Sequence, residues 1–378
     1  MKPATNQWLA KATHDAERQF ALLSRSDICT KISDQHDILV TETQTGEVIT
    51  VGQGHNRMSL LDPTEQFLED ITRFNGPPFR LKETRDGKFG LECGPLAKHF
   101  NRLNPGDLVI DDELEYSTEV EEYIETLRKM GVLSERFSRP EDLDSAKERR
   151  GYEYFNELVE TLRARLNEPT VKRRIGRRKE DCKSNYRSVV TYMLKHLEMC
   201  RKLLVLRLDV GYRNGVDRPD LRSVKTVQEA RADMRRFFAN GRHNALFMHI
   251  VGHIGKLEYG RTKGYHFHIV IVMDGRKVRM DSYWARKFGF YWVDCITKGE
   301  GLFFNCNRGK RKRYGDKVGI GMVNYRDTAM QGRMFNALAY LTKEEQNVRV
   351  RLKGQKNFFR GTMPRSVRAE PCEQAQKE

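Results

Sequence analysis

The alternation of apolar and polar positions separates the chain into regions of different texture. Residues 8–23 carry apolar side chains at helical spacing, whereas 37–51 (DILVTETQTGEVITV) alternate with a period of two about Thr45-Gly46, the pattern of a hairpin. A helix is predicted over 63–74, with Asp62 as its cap. A second hairpin over 80–93 bends at Asp86-Gly87, and a helix over 118–130 stops at Gly131. Together these elements predict a separate small α+β domain over 1–135.

Helical spacing returns over 145–167. Pro169 and Gly176 then break the basic stretch 168–180, so 136–180 reads as a helix and a linker. Beyond it the order is helix (183–200), apolar strand (203–209), helix (226–240), strand (246–259) and strand (265–273). A short helix (282–288), a strand over 291–297, a Gly- and Lys/Arg-rich loop (305–321) and a helix (328–345) follow, with 366–378 as a tail. That order predicts an α+β domain over 181–365 built on a split βαβ antiparallel sheet.

Composition narrows the function classes. The 378 residues have a formal charge of +16, which favours a polyanionic partner. The charge is uneven: 111–125 hold eight acids and no base, whereas 301–365 hold 15 Lys+Arg against four Asp+Glu. The cationic surface therefore belongs to the C-terminal half. No apolar run approaches the roughly 18–20 residues of a membrane span, which excludes an integral helical membrane protein; among polyanions nucleic acid comes first and an anionic membrane second, and no membrane is expected among the partners. The first residues lack the apolar segment of a signal peptide, and the seven cysteines include no Cys-x-x-Cys pair. These features predict a cytoplasmic protein with reduced thiols. No G-x4-G-K-[ST] loop is present, so no fused ATP-driven motor is expected.

The chemistry centres on Gly264-Tyr-His-Phe-His-Ile-Val-Ile-Val272. On a strand, His266 and His268 share one face, and a paired imidazole set is suited to one divalent cation when a third donor joins it. Glu258, eight residues before His266, ends the preceding strand, and the intervening turn can bring its carboxylate alongside. Arg261 and Lys263 in that turn are placed to meet phosphates. A His-x-His pair is also compatible with an ordinary surface pair. Two imidazoles and a carboxylate favour manganese or zinc in vitro, with Mg or Mn as the working cofactor.

A nucleophile is suggested by Tyr-x-x-Lys, which occurs at Tyr192/Lys195, Tyr314/Lys317 and Tyr340/Lys343. On the 328–345 helix, Met330, Met334, Leu338 and Leu341 form the apolar stripe, and Tyr340 falls outside it, as a reactive phenol would. Lys343, one turn on, is a candidate assisting cation. Tyr314 lies in the Gly- and Lys-rich loop, and Tyr192 on a helix before the sheet is the alternative. Cations at 172–179, Arg308, Lys310, Arg311, Lys312, Arg313 and 349–365, interleaved with Phe303, Phe304, Tyr314, Phe358 and Phe359, form a candidate surface for unpaired nucleic acid.

Glu258-x7-His266-Phe-His268 followed by Tyr340-x-x-Lys343 resembles the HUH endonuclease superfamily of single-tyrosine rolling-circle replication initiators. The stretches LRLDVGY, KLEYGRTKGYHFHIVIVMDG, FYWVDCITKGEGLFFNCN, GIGMVNYRD and FFRGTMPR resemble the YagK/YfjJ prophage-protein family, grouped with replication proteins of inoviruses. The resemblance spans roughly 181–365. It implies a ferredoxin-like sheet with the histidine strand at its centre, a metal held by His266, His268 and Glu258, Tyr340 as nucleophile and Lys343 as its assisting cation. The implied activity is nicking and rejoining of single-stranded or origin DNA through a 5′-phosphotyrosine, with host helicase and polymerase as partners. Readings of another class are a non-catalytic DNA-binding or regulatory protein, a single-tyrosine transposase, and an RNA-binding sheet.

Overall fold

The computed structural model describes residues 3–22, 38–43, 45, 47–53, 61–83, 87, 89–108, 114–213, 225–239, 241, 244–260, 264–342, 348–350 and 357–364. In chain order the first elements are α1 (Pro3–Leu22), the hairpin β1 (Ile38–Glu42) and β2 (Val48–Gln53), α2 (Leu61–Arg73), and the hairpin β3 (Phe79–Glu83) and β4 (Phe89–Cys93). Then come β5 (Leu114–Tyr116), α3 (Thr118–Lys129), α4 (Gly151–Asn167) and α5 (Pro169–Cys200). The sheet begins with β6 (Lys202–Tyr212), followed by α6 (Val227–Ala239), β7 (Ile250–Gly260) and β8 (Gly264–Asp274). After α7 (Asp281–Phe290) the chain forms β9 (Gly301–Asn305), α8 (Lys310–Tyr314), β10 (Gly321–Asn324), α9 (Thr328–Thr342), β11 (Val348–Val350) and β12 (Phe358–Arg360).

The chain is α+β, and its sheets are antiparallel. It divides into two compact units: Met1–Gly54 with Lys183–Lys343 and Lys356–Glu378, and His55–Cys182 with Glu344–Gln355. This grouping differs from a domain boundary at residue 135. In the first unit, Phe20 of α1 stacks on Tyr186 at 4.2 Å, and Glu42 of the first hairpin faces Arg308 and Arg286 at 3.1 and 3.7 Å. The helix α1 and the first hairpin thus pack with the later part of the chain, an association that local patterning does not reveal.

The site-bearing unit is organised on a sheet of order β10-β6-β8-β7-β12, with β9 pairing the second half of β6. β8 lies at the centre and is buried along nearly its whole length, which its run Ile269–Met273 requires. One face, through Val205, Val270 and Val272, packs on Val189, Val190 and Met193 of α5 and on Met334, Leu338 and Leu341 of α9. The opposite face carries Phe267 against Trp292, within an aromatic group that includes Phe237, Phe247, Phe288 and Tyr291.

Two local expectations are corrected. The stretch 168–180 is not a linker but the first turns of α5. Pro169 occupies the opening position, where its missing N–H is not needed, and one interior Gly176 costs only about 1 kcal/mol. Within the second unit Arg174 pairs with Glu121 and Glu122, and Arg178 donates to the Tyr116 carbonyl, so these two cations are engaged by the acidic segment, whereas Lys172, Arg173, Arg177 and Lys179 are exposed. The expected strand at 291–297 is a π-helical turn over Tyr291–Ile296. Trp292 there donates from Nε1 to the Gly211 carbonyl at 3.0 Å and fills the aromatic layer, so tertiary packing overrides the strand-like YWVDCI pattern. The fourth strand is β9 instead. No helix among the described residues is long and apolar enough to cross a membrane.

Candidate metal centre

Antiparallel pairing of β7 with β8 sets Glu258 directly opposite His266 and Lys256 opposite His268, while β6 sets Asp209 opposite His268 from the other side. The period of two then brings His266, His268, Glu258, Lys256 and Asp209 onto one face. Ligand atoms of Glu258, His266 and His268 all lie within 4.8 Å of one another, and the three side chains are buried.

Contacts within the group are unequal. His268 Nε2 is 3.0 Å from Glu258 Oε2, and its Nδ1 is 2.5 Å from Asp209 Oδ1. His266 Nδ1 is held at 3.1 Å by the Gly264 carbonyl, which directs Nε2 inward, 3.6 Å from Glu258 Oε2 and beyond hydrogen-bond length. His266 Nε2 and Glu258 Oε1 are buried without a hydrogen-bond partner. Leaving such atoms unsatisfied is costly, and a divalent cation would satisfy both. The donor set, two imidazoles and a carboxylate, therefore fits a metal ion. Asp209 is the outer partner that fixes the His268 tautomer so that Nε2 faces the group.

Electrostatics agree with this geometry. Burial disfavours a charged His268, yet Asp209 and Glu258 on either side raise its pKa. Burial likewise pushes the Glu258 carboxyl up, but His268 and Lys256, whose Nζ is 3.4 Å from Oε1, hold it well below the usual carboxylate range. The raised His268 pKa favours an imidazolium between the two carboxylates, whose Nε2 proton a bound cation would displace.

Tyr340, half-buried on α9, faces this group. Its ring lies edge-on to His268, with centroids 5.5 Å apart, and the Arg207 guanidinium carbon sits 4.9 Å from the ring centre. The neighbouring stripe residues Met330, Met334, Leu338 and Leu341 are buried in the core, as the helical periodicity requires. Tyr192 is placed differently. It is fully buried, and its hydroxyl accepts the His253 backbone N–H at 3.2 Å. His253 is five residues before Glu258 on β7, about 16 Å along a strand. Tyr314 is not in an unsupported loop: it ends α8, packs against the core, and burial pushes its hydroxyl up to about 12.

The cationic surface is only partly available. Arg308 is paired with Glu42, and Lys310 with Asp281 at 2.5 Å. The Arg313 guanidinium stacks over Phe304 at 4.5 Å, whereas Arg311 and Lys312 are exposed. Phe303 is buried and cannot stack on a base, while Phe304, Phe358 and Phe359 are half-buried. Arg261, Lys263 and Lys343 lie outside the described residues. Sequence reasoning assigned no role to Arg207, Lys256 or Asp209. The available signal was the presence of Arg207 and Asp209, two charges of the same parity, inside the apolar strand LLVLRLDV.

Comparisons of the chain with protein-family models, with curated proteins and with solved structures return no match.

Proposed function

We propose that the protein is a metal-dependent single-strand DNA nickase and strand transferase of the HUH type, acting in rolling-circle replication with a ferredoxin-like split βαβ sheet as its platform. The observation that carries the reading is the Tyr340 ring edge-on to His268, beside a buried Glu-His-His group in which His266 Nε2 and Glu258 Oε1 make no hydrogen bond and Oε1 faces the Lys256 ammonium. A phenol next to a divalent-cation site is suited to attack on a phosphodiester, and the net charge of +16 suits a nucleic-acid substrate.

His266, His268 and Glu258 would hold the ion, with Mg or Mn as the candidates. When bound, the ion supplies positive charge to a non-bridging oxygen of the scissile phosphate. Asp209 holds the His268 ring in register, and Lys256 adds a cation beside Glu258. Tyr340 attacks phosphorus, a tyrosyl O–P bond forms and the P–O3′ bond breaks. The phenolic proton is lost, and the departing 3′-oxygen gains one. One ester replaces another, so a later 3′-hydroxyl can attack the phosphotyrosine and reseal the strand without ATP. The freed 3′-hydroxyl can prime a polymerase, which makes host helicase and polymerase the expected partners. Lys343 is the proposed assisting cation. Arg261, Lys263, Arg308, Lys310, Arg311, Lys312 and Arg313 are the proposed phosphate contacts, those already paired exchanging an acid for phosphate.

The test uses circular single-stranded phage DNA and Mn2+. Wild-type protein should convert circles to a linear, protein-capped form, and Tyr340→Phe and His268→Ala should not. Salt-sensitive DNA binding without conversion at any divalent metal would favour a non-catalytic binding protein.

A further inference from the structure

Arg207 is a buried cation in the middle of β6, between Leu206 and Leu208, and only 5% exposed. Burial of a guanidinium is unfavourable unless charge and hydrogen bonds compensate it. Compensation here is incomplete. Its Nε has no hydrogen-bond partner, and the Asp209 carboxylate stands 3.8 Å away, with Oδ1 already engaged by His268. Burial lowers the guanidinium pKa, but Asp209 together with the nearby Cys306, Tyr314 and Tyr340 outweighs it, so the group stays charged. What the guanidinium does meet is the Tyr340 ring at 4.9 Å, and the His268 ring lies 5.5 Å from that same ring. The Arg207 backbone is fixed independently: its N–H donates to Asn307 Oδ1 at 2.8 Å and its carbonyl accepts from the Cys306 N–H at 3.1 Å.

We propose that Arg207 is a positioning residue for Tyr340, holding the phenol ring against His268 so that its hydroxyl is presented to the Glu258-His266-His268 group. The contact is a cation–π interaction removed from water, where it is strongest, and only a planar guanidinium can lie flat against the ring while remaining charged. The chain is short: Arg207 holds the ring on one side, and Asp209, two residues along the same strand, holds His268. One strand thereby orients both the proposed nucleophile and a metal ligand. This inference rests on the nickase reading for its catalytic meaning, but the placement of the ring has its own readout.

The test uses full-length protein with 3-fluorotyrosine at position 340, alone and with Arg207→Met or Arg207→Lys. Fluorine NMR reports the ring environment. Manganese-induced thermal shift reports the metal group, and the single-turnover rate of adduct formation with a 3′-labelled single-stranded oligonucleotide pool reports the chemistry. Arg207→Met should displace and broaden the fluorine resonance, keep the manganese response, and slow adduct formation about 100-fold at saturating DNA, the scale of a misplaced reactant. Arg207→Lys should recover roughly tenfold of that loss. An unchanged resonance and rate in Arg207→Met overturn the proposal, as does equal loss of the manganese response and the rate in both variants. If Arg207→Met does not fold, Arg207→Lys decides alone: a wild-type resonance and rate overturn the proposal. Wild-type protein that forms no adduct defeats the nickase reading, while the fluorine comparison still decides whether Arg207 fixes the ring.

Discussion

Replacing His266 and Glu258 separately discriminates a metal centre from a buried polar network. His266 contributes little to the metal-free protein: Nε2 has no hydrogen-bond partner, and Nδ1 makes one bond to the Gly264 carbonyl. His266→Phe replaces the imidazole with a ring of similar size that carries no donor, so the metal-free cost should be about 1 kcal/mol, the worth of one hydrogen bond. Glu258 is different, because its carboxylate sits between His268 at 3.0 Å and Lys256 at 3.4 Å. Glu258→Gln removes the charge that compensates both, and loss of one partner in a buried ion pair costs about 3–5 kcal/mol. Asp209 still faces His268, which favours the lower end. Manganese at about 100 times its dissociation constant stabilises the wild type by about 2.7 kcal/mol. That is a rise of roughly 5–10 °C in unfolding temperature for a unit of this size. Differential scanning calorimetry with and without Mn2+ should therefore show three patterns. The wild type responds to metal; His266→Phe is nearly as stable as wild type but does not respond; Glu258→Gln is weakened and does not respond. A manganese shift in His266→Phe equal to that of wild type would refute the ligand assignment.

Other consequences follow from the same geometry. A Cβ at Gly252 would lie 2.5 Å from the Tyr192 hydroxyl and 2.8 Å from His196 Nε2, so Gly252→Ala should cost about 1–3 kcal/mol in chemical denaturation, whereas Gly176→Ala, at an open position inside α5, should stabilise by about 1 kcal/mol. Burial lowers the pKa of His196 and of His253 to about 4. The unfolded chain binds these protons near pH ~6.5, so both groups favour the folded state above that pH and withdraw support as pH falls towards 4. The loss should approach about 3 kcal/mol for His196, and less for the half-buried His253, and His196→Phe should flatten the acid limb of a stability–pH curve; an unchanged limb would contradict the burial argument. Tyr192→Phe should leave DNA adduct formation intact, because that hydroxyl is committed to the His253 backbone N–H.

Local periodicity carried much of the site. Alternation along 264–272 placed His266 and His268 on one face, and the short turn before them placed Glu258 across the ladder. The helical phase of 328–342 likewise put Tyr340 outside the apolar stripe. What local pattern did not carry depends on contacts remote in sequence. Arg207 and Asp209 acquire meaning only when β6 lies against β8, with Asp209 and His268 59 positions apart in sequence. The association of α1 and the first hairpin with the later chain is made by contacts remote in sequence, Phe20 on Tyr186 and Glu42 with Arg286 and Arg308. Tyr291–Ile296 has the composition of a strand but forms wide helical turns, because Trp292 is needed in the aromatic layer below Phe267. Pro169 reads as a breaker from sequence, yet a proline that opens a helix breaks nothing.

The proposed chemistry is tested most directly by locating a covalent DNA–protein bond. Wild-type protein is incubated with Mn2+ and a 3′-labelled single-stranded oligonucleotide pool, denatured, digested with protease and analysed by mass spectrometry. The account predicts a nucleotide attached through its 5′-phosphate to Tyr340. Protein that binds both manganese and the oligonucleotides but yields no such bond, or yields one at another tyrosine, would contradict it.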